Sequence, residues 1–300
     1  MTSVPPPGYA VPPDAPQPSP SPPAQVAAAR GRDAWAPWTA PVALVTWFGI
    51  TIFGGLGIAL VGAATGSSLQ HPPPGVNIAA TFLQDVAMIA TALLFAHIAG
   101  RPRPEDFGLR RPPIGRAIRA IIAVWVGFFV TSLVWSAAIG LNDPQTLPDD
   151  LGLHDSTLNL VLVVVLVTVV APLAEEMLFR GYLFPTLRNW SGVLPAAILT
   201  GLLFGAVHIG SSPIGYALPL AAFGFGLCLL YHVTGSLYPG IALHAMNNAI
   251  ALGVNQHWGW QIAPILVGAV LVTLTLASQL GRALGGRADR AAGPRPQPAT

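Results

Sequence analysis

The stretch VVVLVTVVAPLAEEMLFRGYLFPTLR, residues 163–188, decides the fold. It begins as a continuous apolar run, and two adjacent carboxylates, Glu175 and Glu176, follow inside it together with Arg180. A helix needs about 20 mostly apolar residues to cross the hydrocarbon core of a membrane. An ionisable group at the bilayer centre costs at least about 2.5–3.5 kcal/mol on insertion scales, so such groups indicate a functional site by default. We therefore predict a membrane-spanning helix that carries a polar site.

The composition of the whole chain agrees with a membrane protein. Of the 300 residues, 53% are hydrophobic and 9% are charged, whereas a soluble domain has about 25% charged residues. This composition excludes an ordinary soluble enzyme. Cys228 is the only cysteine, which excludes a disulfide framework and a cysteine-rich zinc module. The formal charge of +2 does not indicate nucleic-acid binding, because the basic residues flank apolar segments.

Seven further apolar segments predict an all-α protein, a polytopic membrane bundle of about eight transmembrane helices. The predicted segments are 41–65, 77–99, 116–140, 157–187, 194–210, 215–233, 239–255 and 261–281. If all eight cross the membrane, every connection that carries arginine falls on one side, and the positive-inside rule makes that side cytoplasmic. All 14 basic residues are arginine, which favours a bacterial genome rich in G and C. We therefore expect a multi-pass protein of the bacterial inner (plasma) membrane, with both termini cytoplasmic.

The chain divides into three predicted regions. Residues 1–38 are rich in proline and lack an apolar run, so we expect a disordered cytosolic tail. Residues 39–282 form the membrane domain, and residues 283–300 are predicted to be a second disordered cytosolic tail.

The two adjacent carboxylates have different neighbours along the helix. Glu176 and Arg180 are spaced i,i+4 with the acid first, which is the favourable order for a helical ion pair. Glu175 lies about 100° away around the helix and has no such partner. A carboxylate left free in this way could act as a general base. The alternative is a purely structural polar cluster that holds helices together.

Two later helices carry polar residues that could complete a site. Helices four and five form a predicted hairpin turning near 190–193, which brings Glu175 and His208 to one depth. His244 and Asn248 share one helix face and could donate hydrogen bonds to a developing oxyanion, or simply join helices. By residue counting this pair lies shallower than Glu175. Asp85, in the second helix, is predicted to have a buried structural role.

Three motifs in this order resemble the CPBP intramembrane protease family, also described as CAAX prenyl protease 2, Rce1-like or Abi proteins. The motifs are Glu175-Glu176-x-x-x-Arg180, Phe204-x-x-x-His208 and His244-x-x-x-Asn248. The resemblance covers about residues 155–255. It implies an intramembrane endopeptidase in which Glu175 activates water with help from His208, while His244 and Asn248 stabilise the oxyanion. Glu176 and Arg180 would support these residues.

The resemblance also bears on cofactor and partners. The family is called a metalloprotease family, and Glu175, His208 and His244 could bind zinc in principle, although general-base and oxyanion chemistry could equally work without metal. The implied substrate is a membrane-embedded or lipidated peptide or protein within the lipid bilayer, with no nucleic acid involved. Two other functions fit the residues: a non-catalytic scaffold or bacteriocin-immunity-type binding protein of the same fold, and a small-solute transporter.

Overall fold

The protein is all-helical in the computed structural model, which describes residues 35–141 and 146–292, with side chains up to residue 286. Every predicted apolar segment corresponds to one helix, so the all-α prediction is confirmed. The eight long helices of the described ranges are α1 (Thr39–Ala64), α2 (Pro74–Ile98), α3 (Ile114–Ile139), α4 (Thr157–Ser191), α5 (Val193–Val207), α6 (Ala217–Thr234), α7 (Tyr238–Asn255) and α8 (Ile262–Ala292). Short helical turns lie at Pro104–Phe107, Leu147–Asp150 and Ile214–Tyr216.

Among the described helices, six are long and apolar enough to cross a membrane, namely α1, α2, α3, α4, α8 and α6 with the turn before it. The other two are α5, which has 15 residues, and α7, which carries the polar His244 and Asn248. At 1.5 Å per residue α5 is about 22 Å long, shorter than the hydrocarbon core of about 30 Å. The prediction of a polytopic helical bundle is confirmed, with six helices rather than eight meeting the criteria for a full span.

Helix α4 runs through the middle of the bundle and is continuous over 35 residues, although it contains Pro172 and Pro185. A proline ring clashes with the carbonyl group four residues earlier and removes one amide donor. Two stretches, Leu166–Val170 and Glu176–Leu183, form wide π turns. Each stretch ends two residues before a proline, so the wider turns accommodate the rings without breaking the helix. Such turns are frequent at functional sites.

Apart from the buried Arg180, the described arginines lie at one end of the bundle, where Glu105 and Asp106 are also found, and a group of aspartates lies at the other end. The arginine end holds Arg101, Arg103, Arg110, Arg111, Arg116, Arg119, Arg188 and Arg282. The aspartate end holds Asp149, Asp150 and Asp155 in the connection between α3 and α4. At the arginine end, Ser236 Oγ donates a hydrogen bond of 2.6 Å to Arg110 O. At the aspartate end, Asn77 Nδ2 donates one of 2.9 Å to Asp150 O.

Helices α5 and α6 pack more closely than the other pairs because small residues face each other. A Cβ at Gly201 would lie 2.7 Å from Ala221 O, and one at Gly224 would lie 2.8 Å from Phe204 Cβ. Glycines four residues apart, as in Gly201 and Gly205, allow this approach between membrane helices. The contact brings the end of α5 against the start of α6, where the polar residues of the site converge.

The outer surface of the bundle is apolar, whereas its interior contains the ionisable groups. Phe53 of α1, Leu133 of α3 and Leu271 of α8 are all exposed. Large apolar areas are unusual on monomeric soluble proteins, and helices with internally bonded backbones are suited to lipid contact. The arrangement fits a protein solvated by a bilayer.

The folded region differs slightly from the predicted domain boundaries. Trp35 is buried and its ring lies 4.7 Å from that of Tyr182, so the packed region begins before residue 39. Helix α8 continues to Ala292, past the predicted boundary at 282. The remaining parts of the two predicted tails, 1–34 and 293–300, lie outside the described residues.

Candidate active site

Helix α4 presents its two adjacent carboxylates to different surroundings. Both residues are buried, Glu175 with 8% and Glu176 with none of its surface exposed. They stand where a regular helical turn meets the second π stretch. Because consecutive residues of a helix project about 100° apart, Glu176 faces the protein interior and Glu175 faces a cavity. We call these the closed side and the cavity side of α4.

The closed side is an ion pair without solvent contact. Arg180 Nη1 donates a hydrogen bond of 2.8 Å to Glu176 Oε1, and neither side chain is exposed. Arg180 Nη2 donates a second hydrogen bond, 3.0 Å long, to Gly224 O of α6. The guanidinium group also lies 4.4 Å from the centre of the Phe204 ring. The predicted pair is confirmed, and these contacts join α4, α5 and α6.

His244 of α7 connects the two sides of α4. Its Nδ1 lies 3.1 Å from Glu176 Oε1, and its Nε2 lies 3.6 Å from Glu175 Oε2. A carboxylate oxygen accepts hydrogen bonds, so His244 Nδ1 carries the proton and donates to Glu176. Glu176 therefore fixes the ring so that Nε2 faces Glu175.

His208 reaches Glu175 from the other direction. It follows the last residue of α5, and its Nδ1 lies 2.7 Å from Phe204 O. Because a carbonyl oxygen only accepts, Nδ1 donates there and Nε2 is left facing Glu175 Oε2 at 3.8 Å. The predicted meeting of Glu175 and His208 at one depth is confirmed. Two imidazoles thus direct Nε2 at one carboxylate oxygen.

That carboxylate oxygen has no hydrogen bond within the described residues. Glu175 Oε2 is buried and without a partner, and the two Nε2 atoms lie slightly beyond hydrogen-bond range. Contacts of this length between polar groups are often bridged by water. A water oxygen beside Glu175 Oε2 can reach both imidazoles, so the three groups form a binding position for one small polar molecule.

Aromatic rings surround this position. The Phe204 ring lies 4.7 Å from the ring of His208 and 5.7 Å from that of His244, and the Phe223 ring lies 5.5 Å from His244. Both phenylalanines are fully or almost fully buried. They limit ring movement and lower the local polarity, which strengthens electrostatic interactions inside the site.

Asn248 lies one helical turn beyond His244 and contacts α4. Its Nδ2 donates a hydrogen bond of 3.0 Å to Val167 O, in the first π stretch. The amide group has two N–H donors, so one remains for another acceptor. Asn248 lines the same cavity as Glu175. Of the predicted His–Asn pair, His244 faces Glu175 directly, and Asn248 lines the same cavity one helical turn away.

A cavity of about 260 Å³ extends from Glu175 toward the aspartate end. Its walls come from five of the long helices and the connections at that end. The polar residues among its lining are Thr81, Gln84, Asp85, Glu175, His208, Ser211, Ser212, His244, Asn247, Asn248 and Asn255. Leu147 and Pro148 line it beside the exposed Asp149 and Asp150. Glu175 therefore stands at the inner limit of a polar cavity rather than in contact with lipid.

The candidate zinc ligands converge, and Glu175 Oε2 lies 3.6 Å from His244 Nε2 and 3.8 Å from His208 Nε2. Within residues 35–141 and 146–292, no group of three or more His, Cys, Asp or Glu side chains is arranged to hold a metal ion. We therefore derive no step through a metal.

One expectation about depth was wrong. Residue counting placed His244 shallower than Glu175, yet their side chains are 3.6 Å apart. Helix α4 is about 52 Å long at 1.5 Å per residue, so its last turns extend beyond the start of α7 at Tyr238. Counting from helix ends assumes that both helices end at the same depth.

The sequence motifs did not reveal that α2 contributes residues to the cavity. Thr81, Gln84 and Asp85 line the cavity, although the motifs lie between residues 175 and 248. An aspartate within an apolar span was the available signal, because intramembrane acids usually face protein or water. Its place opposite Glu175 depends on how α2 packs against α4.

The family described as Type II CAAX prenyl endopeptidase Rce1-like matches residues 157–250. The match covers about a third of the chain and shows that residues 157–250 are similar to this family. The matched stretch starts at the first residue of α4, ends within α7 and contains all six predicted site residues. The family resemblance that the motifs indicated is confirmed.

One relative supports the same assignment over part of its length. A protein of Bacillus subtilis (strain 168), named "Putative membrane peptidase YdiL", is 28% identical over 91 residues. The aligned region is 30% of this chain and 36% of the relative, so the chain spans about a third of the relative that it matches. No solved structure matches the chain. Helices α1 to α3 lie outside the family match.

Proposed function

We propose that the protein is an intramembrane endopeptidase, a CAAX-protease-like hydrolase of the Rce1-like family. The observation that carries this proposal is the Glu175 carboxylate, which lacks a hydrogen-bond partner among the described residues. It faces two Nε2 atoms at 3.6 and 3.8 Å at the inner limit of a polar cavity. A carboxylate held by a salt bridge could not accept a proton as readily, and Glu176 is held in that way.

The reaction begins with a water molecule bound between Glu175 and the two imidazoles. Glu175 accepts a proton from this water while the oxygen attacks the carbonyl carbon of the peptide bond. The carbonyl π electrons move onto oxygen and produce a tetrahedral oxyanion. Collapse of this intermediate breaks the C–N bond, and the proton held by Glu175 passes to the leaving nitrogen. His208 holds the water through Nε2.

His244 and Asn248 stabilise the oxyanion. With protons on both nitrogens, His244 donates from Nδ1 to Glu176 and from Nε2 to the oxyanion. The second N–H of Asn248 donates from the neighbouring helical turn. Donors placed where charge develops contribute about 2.7–4 kcal/mol each to the transition state. Glu176 and Arg180 act as positioning residues, since they hold His244 and the α4–α6 contact.

The substrate is a membrane-embedded or lipidated peptide or protein, and the enzyme acts in the lipid bilayer. This part of the proposal rests on the apolar outer surface of the bundle and on the family match. By the positive-inside rule the arginine end faces the cytoplasm. The protein is then a multi-pass protein of a bacterial plasma membrane with both termini inside, and the cavity extends toward the opposite, aspartate end.

The test compares protein termini in membranes of cells that make wild type, Glu175→Gln or Glu105→Gln at equal levels. Glu105 is the matched control, because it is an exposed glutamate at the arginine end. New termini present with wild type and Glu105→Gln, and absent with Glu175→Gln, would establish proteolysis and identify the substrate. Identical termini in all three samples would contradict the proposal and favour a scaffold.

A second measurement addresses metal. Cleavage by the purified protein should persist after treatment with a chelator that strips zinc, because the proposed steps use only Glu175, His208, His244 and Asn248. Loss of cleavage that added zinc restores would overturn the metal-free mechanism and assign Glu175, His208 and His244 as ligands.

A further inference from the structure

Asp85 is a buried acid that the proposed reaction does not use. It lies in α2, outside the family match, and 1% of its surface is exposed. Its Oδ2 atom has no hydrogen-bond partner among the described residues. Leaving such an oxygen unsatisfied costs about 1–3 kcal/mol, and more when it is charged. A ligand that enters the cavity can supply the missing partner, because Asp85 forms part of its wall.

The cavity contains acids but no permanent cation. Asp85 and Glu175 both line it, whereas no arginine belongs to the lining formed by the described residues, and the chain has no lysine. The buried cation, Arg180, is on the closed side, where Glu176 and Gly224 accept its hydrogen bonds. The described walls therefore provide no fixed counter-charge for Asp85.

The imidazoles of His208 and His244 do not provide a counter-charge for Asp85. Their Nδ1 atoms are engaged by Phe204 O and Glu176 Oε1, and their Nε2 atoms face Glu175. Even a protonated imidazole would compensate the closer Glu175 carboxylate. The Oδ2 atom of Asp85 therefore still lacks a partner among the described residues. It lies on α2, across the cavity from the Glu175 carboxylate.

The entrance to the cavity at the aspartate end is also negatively charged. Leu147 and Pro148 line it, and the next two residues, Asp149 and Asp150, are exposed at that end. Clefts lined by one sign of charge raise the local concentration of the opposite sign. The described arginines other than Arg180 are at the other end of the bundle. A positively charged segment is therefore attracted toward the cavity and then meets Asp85.

We propose that Asp85 binds a lysine or arginine side chain of the substrate peptide, close to the bond that the Glu175-activated water attacks. This inference rests on the proposed endopeptidase activity and names the substrate class of that site. Asp85 acts as a specificity determinant: its carboxylate accepts hydrogen bonds from the ammonium or guanidinium group, while the peptide bond lies across the imidazoles.

The test uses the full-length protein in detergent with a library of synthetic peptides that contains all residue types, and mass spectrometry locates the cut bonds. Lysine or arginine should occur within three residues of the cut bond. A matched pair of peptides that differ by Lys or Gln at that position is then compared. Wild type should prefer the lysine peptide in kcat/KM by about 30-fold or more, the cost of removing one partner of a buried charge pair.

Asp85→Asn should lower this preference to about 1, while Asp155→Asn, a change of an exposed aspartate outside the cavity lining, should keep it. Equal losses for both peptides in Asp85→Asn, or an unchanged preference, would overturn the inference. Asp85→Asn is informative only if it unfolds cooperatively and is therefore folded. If it is not, the cut sites that wild type produces in the peptide library test the inference instead. Cut sites without an enrichment of lysine or arginine would contradict it.

The endopeptidase activity and the role of Asp85 are contradicted by different results. Cleavage by wild type that Glu175→Gln abolishes, without any basic preference, would leave the endopeptidase and remove the role of Asp85. No cleavage of any library member by wild type, with unchanged termini in cells, would remove both.

Discussion

The closed side and the cavity side of α4 begin with adjacent residues, yet they have opposite environments. Glu176 is fully buried, and its Oε1 accepts hydrogen bonds from Arg180 and His244, while its Oε2 has no partner among the described residues. Glu175 has an unpartnered oxygen that faces two Nε2 atoms and a cavity. Both are carboxylates within one helical turn, so the difference comes entirely from what packs around them.

This difference separates stability from chemistry. Removing one partner of a buried ion pair leaves an uncompensated charge and is strongly destabilising. A carboxylate without a partner contributes little to stability but can accept a proton. We expect changes on the closed side to unfold the protein and changes on the cavity side to abolish activity while the fold persists. His244 belongs to both sides, because its two nitrogens face the two carboxylates.

The largest effect on stability is expected from Arg180→Met. The change leaves Glu176 buried without its cation, so the free energy of unfolding should fall by about 3–5 kcal/mol. The measurement is denaturant-induced unfolding of the purified protein in detergent. Arg188→Met is the control at the arginine end; there only a guanidinium contact at 5.7 Å from the Phe184 ring is lost, which costs about 0.5–1 kcal/mol.

The double variant Glu176→Gln/Arg180→Met sharpens the same point. It removes the uncompensated charge, so it should recover part of the stability lost in Arg180→Met. A double variant less stable than Arg180→Met alone would show that the pair is not the reason for the loss.

A direct comparison of the two carboxylates should give the next largest effect. Glu176→Gln should lower the free energy of unfolding by about 3 kcal/mol, because Arg180 is left buried without its anion, and the loss is at the low end of the range because the amide oxygen still accepts from Arg180. Glu175→Gln should not lower it, because the change removes a buried charge that has no fixed cation beside it, and should eliminate cleavage. Equal destabilisation by the two changes, measured in the same detergent, would contradict the separation.

A smaller effect is expected from Gly240→Ala in α7. A Cβ there would lie 2.8 Å from Glu176 Oε2, so the carboxylate has to shift away from Arg180 and His244. We expect a loss of about 1 kcal/mol, at the low end of overpacking costs because a side chain can move. The control is Gly268→Ala in α8, which has nothing within 4 Å of the added Cβ and should be neutral or stabilising. Equal thermal shifts for both variants would argue against a crowded closed side.

A smaller loss of stability than that of Gly240→Ala is expected from Asn248→Leu on the cavity side. It removes the hydrogen bond to Val167 O, and such bonds between membrane helices contribute about 0.6 kcal/mol on average. Activity should nevertheless fall by at least about 100-fold, because a donor to the oxyanion is lost. A variant that keeps full kcat would exclude Asn248 from the oxyanion site. Thr168→Val in the same region, which removes an intrahelical bond to Val164 O, serves as the control.

Much of this could be predicted from residue types and spacing alone. The apolar segments determine where helices form, because a span without water must satisfy its own backbone. The i,i+4 spacing determines the Glu176–Arg180 pair, and equal distances from one turn determine the meeting of Glu175 and His208. These are local properties, and from them the three motifs indicated the Rce1-like family, whose model matches residues 157–250.

The tertiary structure decided what the neighbours of each group are. His244 lies beside both carboxylates because the long helix α4 extends past the start of α7, which no spacing within one helix reveals. Asp85 lines the cavity because of how α2 packs against α4, and its sequence position is far from every motif. Spacing along a helix determines direction and depth, whereas a site formed between helices depends on their relative shifts and packing. For that reason the sequence determined which residues were candidates for the site, and the packing determined which of the two carboxylates faces the cavity.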